Sequence, residues 1–155
     1  MNLKFVPMTE NERAFFIHVH HTAYRDVIER QFGWDEALQD EFANKAFNEG
    51  GMKIVYFNDQ KVGVVGWQEY PDYLWLKKVF LLPEYQRSGI GSQIVRLSIS
   101  NAQKMGKELR LQTLKENINA KKLYERFGFV VTDATDTHWK MALTVNQQKQ
   151  ERAYV

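Results

Sequence analysis

The stretch V-F-L-L-P-E-Y-Q-R-S-G-I-G-S, from Val79 to Ser92, limits the folds open to this chain more than any other. Val79 to Leu82 is a run of apolar and aromatic residues that reads as the end of a β-strand, and Pro83 stops it by removing a ladder donor. Gln86, Arg87, Ser88, Gly89, Ile90 and Gly91 then open an amphipathic helix that reaches about Met105. A strand that runs through a glycine-bearing turn into a helix start is a place to hold an anion. About four backbone N–H groups there lack intrahelical partners, and the helix dipole adds positive charge at the same end. Gly89 and Gly91 carry no Cβ, so a phosphate can approach the backbone closely.

Two well-known phosphate loops do not fit. A Walker A loop needs a Lys-Ser/Thr pair after its second Gly, and Ser92-Gln93 follows here. The dinucleotide fingerprint needs a third Gly and an opening strand–helix–strand unit, and the chain has neither.

The rest of the chain predicts one α+β domain, residues 1–145, followed by a polar tail, 146–155. Leu3 to Val6 reads as a strand stopped by Pro7, and Thr9 and Glu12 stand at capping-box spacing for a helix. That helix carries Phe15, Phe16, Val19, Ala23, Val27 and Ile28 as a core-facing stripe. Gly33 breaks it. A second helix from about Asp35 is expected to bury Trp34, Leu38, Phe42 and Phe47 or their near neighbours, and Gly50-Gly51 stops it. Lys53 to Phe57, Lys61 to Tyr70 and Tyr73 to Leu82 read as an antiparallel meander, with Gly63 and Gly66 marking bulges or a close backbone approach.

After the third helix, Leu109 and Leu111 alternate with polar residues as a half-buried strand. The connecting helix makes this strand parallel to the one before the loop. A fourth helix with Ala120, Leu123, Tyr124 and Phe127 on one face ends at Gly128, and Phe129 to Thr132 and His138 to Leu143 close the sheet as a hairpin. The expectation is a mixed, mostly antiparallel twisted sheet of about seven strands with four helices.

Composition narrows the function. The 155 residues are 44% hydrophobic with a net charge of +2, acids and bases interspersed, so no basic stripe points to nucleic acid. The absence of cysteine excludes a disulfide framework, a thiolate metal site and a cysteine nucleophile. No apolar run approaches the roughly 20 residues of a membrane span. A cytoplasmic protein without membrane attachment is the expectation.

The loop Gln86-x-x-Gly89-x-Gly91 and the segment Asn117-x-x-Ala120-x-x-x-Tyr124-x-x-x-Gly128-Phe129 are two independent motifs, each on the expected elements. Together they resemble the GNAT N-acetyltransferase superfamily, whose acyl-CoA loop reads Q/R-x-x-G-x-G/A and whose later helix reads N-x-x-A-x-x-x-Y-x-x-x-G-F. The resemblance covers roughly Leu3 to Leu143 and implies a splayed central parallel strand pair that holds acetyl-CoA as co-substrate. It implies that the main chain of Val79, Phe80 and Leu81 holds the pantetheine arm and thioester. Gln86, Arg87, Ser88, Gly89, Ile90, Gly91 and Ser92 would bind the pyrophosphate, and Asn117, Ala120 and Tyr124 would flank the arm. Tyr124 would also protonate the leaving thiolate; apart from the motif, it reads as a core aromatic with a backbone partner.

The acceptor side is less constrained. Many relatives carry a Glu near the start of the strand before the loop, where this chain has Trp75 and Lys77. Glu69, on the neighbouring strand, is the candidate base, against a plain reading as a solvated carboxylate. His21, Tyr24, Trp34 and Trp67 are candidates to line a pocket for a small-molecule or peptide amine. His18, His20 and His21 invite a metal, but only His18 and His21 share a helical face, and no metal is expected. The resemblance allows a homodimer. The rival classes are an acyltransferase using another acyl-CoA and a non-catalytic acyl-CoA sensor that kept the loop and lost the base.

Overall fold

The structure, a computed structural model, describes residues 2–144, so the expected tail at 146–155 lies outside the described residues. In chain order the elements are β1 (Leu3–Pro7), a 3-10 turn (Glu10–Glu12), α1 (Arg13–Thr22), α2 (Arg25–Phe32), α3 (Glu36–Glu49), β2 (Met52–Phe57), β3 (Gln60–Glu69), β4 (Tyr73–Leu81), a second 3-10 turn (Pro83–Tyr85), α4 (Ile90–Met105), β5 (Glu108–Leu114), α5 (Ile118–Arg126), β6 (Val130–Ala134) and β7 (His138–Leu143). The seven strands form one sheet in the order β1-β2-β3-β4-β5-β7-β6. The described residues fall into two compact units, residues 2–67 with 78–91 and residues 68–77 with 92–144.

In the first unit β1 and β2 pair antiparallel from Leu3↔Phe57 to Pro7↔Lys53, and β2 pairs with β3. The core joins Phe16, Val19 and Ala23 to Ala43, Ala46, Met52, Val64 and Leu82. The expected first helix is two helices. Tyr24 leaves the helical region (φ −134°, ψ 34°), and its hydroxyl reaches the Val79 carbonyl while its ring meets Phe80 edge-on. A tertiary anchor thus overrides the continuous helical periodicity.

The expected capping box also takes another form: Thr9 Oγ1 bonds the Glu12 carboxylate at 3.2 Å, and a 3-10 turn precedes α1. On α3, Asp35 caps the helix by accepting from the Leu38 N–H at 3.0 Å. The expected buried face is displaced, with Leu38 and Phe42 left 41% and 48% exposed and Gln39, Ala43 and Ala46 buried. Small residues let α3 approach α1 closely, and size outweighs hydrophobicity there.

Gly63 confirms the expected close approach. A Cβ built on it would lie 2.2 Å from the Phe80 carbonyl oxygen, so only glycine lets β3 pass this part of β4.

In the second unit β5, β7 and β6 run antiparallel, from Leu109↔Leu143 to Leu114↔His138 and across the β6–β7 hairpin. Ile94, Val95 and Ala102 of α4 are buried, as are Leu109, Leu111, Phe129 and Met141. Ser98, fully buried on α4, donates to the Ile94 carbonyl at 2.8 Å and so meets the cost of its burial. β4 and β5 pair in parallel at Tyr73↔Glu108, Leu74↔Leu109 and Trp75↔Arg110.

Candidate active site

The first unit carries the loop. Beyond β4 the 3-10 turn closes with Tyr85 N–H donating to Leu82 O and Gln86 N–H to Pro83 O. The half-buried Gln86 amide donates to the Leu81 carbonyl at 2.9 Å and to the Ala23 carbonyl, tying the loop's base to the end of α1. Ser88 donates its hydroxyl to the Tyr85 carbonyl. Arg87 and Gly89 then take left-handed φ values of 60° and 89°, and the chain enters α4 at the buried Ile90. The first amides of α4 have no intrahelical partner. A Cβ on Gly91 would meet only Leu81 Cδ1, at an ordinary 3.8 Å, so the fold itself does not demand glycine there.

The same unit gathers an aromatic and imidazole group around the end of β4. Tyr24 donates to the Val79 carbonyl at 3.1 Å, so this main-chain acceptor already has a partner. Phe80 receives Tyr24 and His20 edge-on, each with centroids 5.8 Å away, and Leu81 is buried. His20 and His21 face each other through their Nδ1 atoms at 3.2 Å. His21 Nε2 lies 2.6 Å from Asp40 Oδ1, a short hydrogen bond, and 3.9 Å from Glu36 Oε1. Trp34 meets His21 edge-on at 5.5 Å, donates its indole N–H to Glu36 and carries the Arg25 guanidinium over its face at 4.2 Å.

His21, Tyr24 and Trp34 are therefore brought into one group through His20 and Phe80. Trp67 is not among them. Strand alternation puts it on the face opposite Val64, against Phe5 at 5.3 Å.

Sequence reading weighed His20 only as a metal ligand and passed over Asp40. His20 falls four positions after Phe16 on the buried stripe of α1, which was the available signal. Burial first, then the charge of Lys78 and the neighbouring His21, lowers the His20 pKa to about 4, so its ring is neutral at pH 7.

The second unit holds Tyr124, and its motif reads as a helix with both ends finished. Asn117 Oδ1 accepts the Ala120 N–H at 3.2 Å, a cap worth about 1 kcal/mol. At the other end Gly128 takes φ 99° and donates to the Glu125 carbonyl, while Phe129 donates to the Tyr124 carbonyl: the two bonds of a Schellman motif. The Gly-Phe pair of the motif thus seats Tyr124. Its ring keeps some exposure, yet burial around the hydroxyl pushes the pKa up to about 12, so the phenol stays protonated. Glu69 is held by Lys107 at 2.7 Å, and Lys107 also donates to the Tyr70 carbonyl at 2.8 Å. To act as a base, Glu69 would first have to release that ammonium.

With this geometry described, the chain can be set beside known proteins. A family model described as "Acetyltransferase (GNAT) family" matches residues 13–129. The spermine/spermidine N(1)-acetyltransferase of Bacillus subtilis (strain 168) is 24% identical over an alignment of 143 positions, with 83% of this chain and 88% of that one covered. Among solved structures, the PaiA N-acetyltransferase of Thermoplasma acidophilum in complex with coenzyme A has a TM-score of 0.73 at 15% identity, over 92% of this chain and 98% of that one. The ribosomal-protein-S18-alanine N-acetyltransferase of Escherichia coli has a TM-score of 0.66 at 22% identity, over 92% and 93%.

Proposed function

The chain belongs to the acetyltransferase (GNAT) family, and on that premise we propose that it binds acetyl-CoA and passes the acetyl group to a primary amine by direct attack in a ternary complex. The observation that carries this reading is the left-handed turn at Arg87 and Gly89, which delivers the chain from β4 into the N-terminus of α4. Amides there bind the pyrophosphate, and the exposed Arg87 adds a charge-assisted contact. Main-chain N–H groups at 79–81 hold the thioester carbonyl and stabilise its oxyanion, an interaction of a few kcal/mol in a dry site.

Tyr124 donates a proton to the departing CoA thiolate. A phenol near 12 is a weak acid beside a thiol of about 8.5. The water exclusion that raises the phenol also raises the thiol, which narrows the gap between them. No covalent enzyme intermediate is needed, and the chain has no cysteine to form a thioester.

For the acceptor we propose a polyamine. The B. subtilis relative is named for spermine and spermidine. Here the exposed carboxylates of Glu36 and Asp40 offer negative charge to an alkylammonium chain. The test is amine-dependent release of CoA thiol from acetyl-CoA across spermidine, spermine, an amino-terminal peptide and a lysine peptide. Release with the polyamines supports the reading. Binding of acetyl-CoA without release for any amine makes the chain a sensor.

A further inference from the structure

This inference rests on the acetyl-transfer reading above. The β4 sequence Y-L-W-L-K-K-V-F-L holds no carboxylate, and Glu69 is engaged by Lys107. An ammonium acceptor must nevertheless lose a proton before it can attack. We propose that His20 Nε2 takes that proton, with His21, Asp40 and Glu36 receiving the resulting charge through a His–His–carboxylate relay.

The hydrogen-bond accounting supports this. Only one proton fits between the two Nδ1 atoms at 3.2 Å. When His21 Nε2–H donates to Asp40, His21 Nδ1 is left with its lone pair. His20 Nδ1–H must then be the donor, and His20 Nε2 carries a free lone pair. Among the described residues His20 Nε2 has no hydrogen-bond partner. No buried side-chain nitrogen or oxygen lacks one, so this atom reaches accessible surface. The ring lies edge-on to Phe80, in the segment 79–81 that the reading above assigns to the thioester.

The proton balance closes. The substrate ammonium gives one proton to His20 Nε2, and the His20 Nδ1 proton moves to His21 Nδ1. His21 becomes an imidazolium held by Asp40 at 2.6 Å and Glu36 at 3.9 Å. The neutral amine attacks the thioester, the C–N bond forms and the C–S bond breaks. The second nitrogen proton ends on the CoA sulfur, and the relay releases the first to solvent. Lys78, the charged group facing His20 from β4, and burial keep His20 unprotonated at the start of the cycle. The relay lets a weakly basic imidazole accept a proton because the charge comes to rest beside two carboxylates.

The experiment measures kcat/KM for spermidine against pH, together with the acetyl-CoA thermal shift, for wild type, His20→Gln, His21→Gln, Asp40→Asn and Glu69→Gln. His20→Gln is expected to lose about 10²-fold or more at pH 7 while keeping the acetyl-CoA shift. His21→Gln and Asp40→Asn, as positioning residues, should lower the plateau about tenfold. They should also move the acid limb to lower pH, toward that of an isolated His20. His20→Gln within threefold of wild type overturns the proposal, and a drop confined to Glu69→Gln gives the base to that residue. Should His20→Gln fail to fold, an unmoved acid limb in Asp40→Asn overturns the relay instead. A wild type that acetylates no amine while still binding acetyl-CoA removes the underlying reading, an outcome distinct from any loss confined to the variants.

Discussion

Phe129 touches Tyr124 twice: its backbone N–H bonds the Tyr124 carbonyl at 3.1 Å, and its ring lies edge-on to the tyrosine ring with centroids 5.8 Å apart. The residue proposed for proton donation is thus held by the cap of its own helix. Tyr124→Phe keeps both contacts and removes only the hydroxyl. We expect kcat to fall about 10²-fold with acetyl-CoA affinity nearly unchanged, measured by steady-state kinetics and calorimetry. Equal losses in binding and turnover would contradict the assignment.

Gly128 lets that cap form. At φ 99°, with a built Cβ 3.3 Å from Leu143 Cδ1, alanine meets both backbone strain and crowding. Gly128→Ala should cost about 1–2 kcal/mol in urea unfolding and lower kcat as Tyr124 loses its seat. A variant as stable as the wild type would show that the turn has another solution.

Gly63 makes a separate prediction, because its Cβ would stand 2.2 Å from the Phe80 carbonyl. Gly63→Ala must push β3 away from the end of β4, at a cost of about 1–3 kcal/mol. The acetyl-CoA thermal shift should shrink with it, since the main chain at 79–81 moves. An unchanged shift would detach that segment from the cofactor.

Arg87 holds a left-handed φ of 60° that glycine would adopt without strain. Arg87→Gly should leave urea stability within about 1 kcal/mol of wild type, because relieved strain offsets the added chain entropy. It should weaken acetyl-CoA binding about tenfold through one lost charge-assisted contact. Unweakened binding would make the arginine incidental.

Acid stability follows from His20, whose pKa falls from 6.5 to about 4 on folding. Above pH 6.5 the ring is neutral in both states and has no effect. Between about 6.5 and 4 the unfolded chain takes the proton and the folded one does not, so stability falls as pH falls. The loss is on the order of 2 kcal/mol once residual solvent screening is allowed for. Urea midpoints across this window should slope for wild type and lose that component in His20→Gln. An equal slope would place the titration elsewhere.

Much of this was legible in the sequence, and the exceptions share a cause. Pro83, the paired loop glycines and the Asn117-to-Phe129 segment act locally through φ, missing donors and caps, so their positions carry their meaning. The break at Tyr24, the buried Ala43 and Ala46 in place of Leu38 and Phe42, and the burial of His20 come from contacts made across the fold. Periodicity averages over a helix and cannot report a single side chain turned toward a distant carbonyl. The engagement of Glu69 by Lys107, 38 positions along the chain, was hidden for the same reason.

The most direct test is calorimetric titration of acetyl-CoA into the wild-type chain and into Gly89→Val, which cannot hold φ 89° without strain. The account predicts one acetyl-CoA per wild-type chain, displaceable by CoA, and binding lost in a variant that still folds. No heat with the wild type and no competition by any CoA species, or equal binding by the variant, would contradict it.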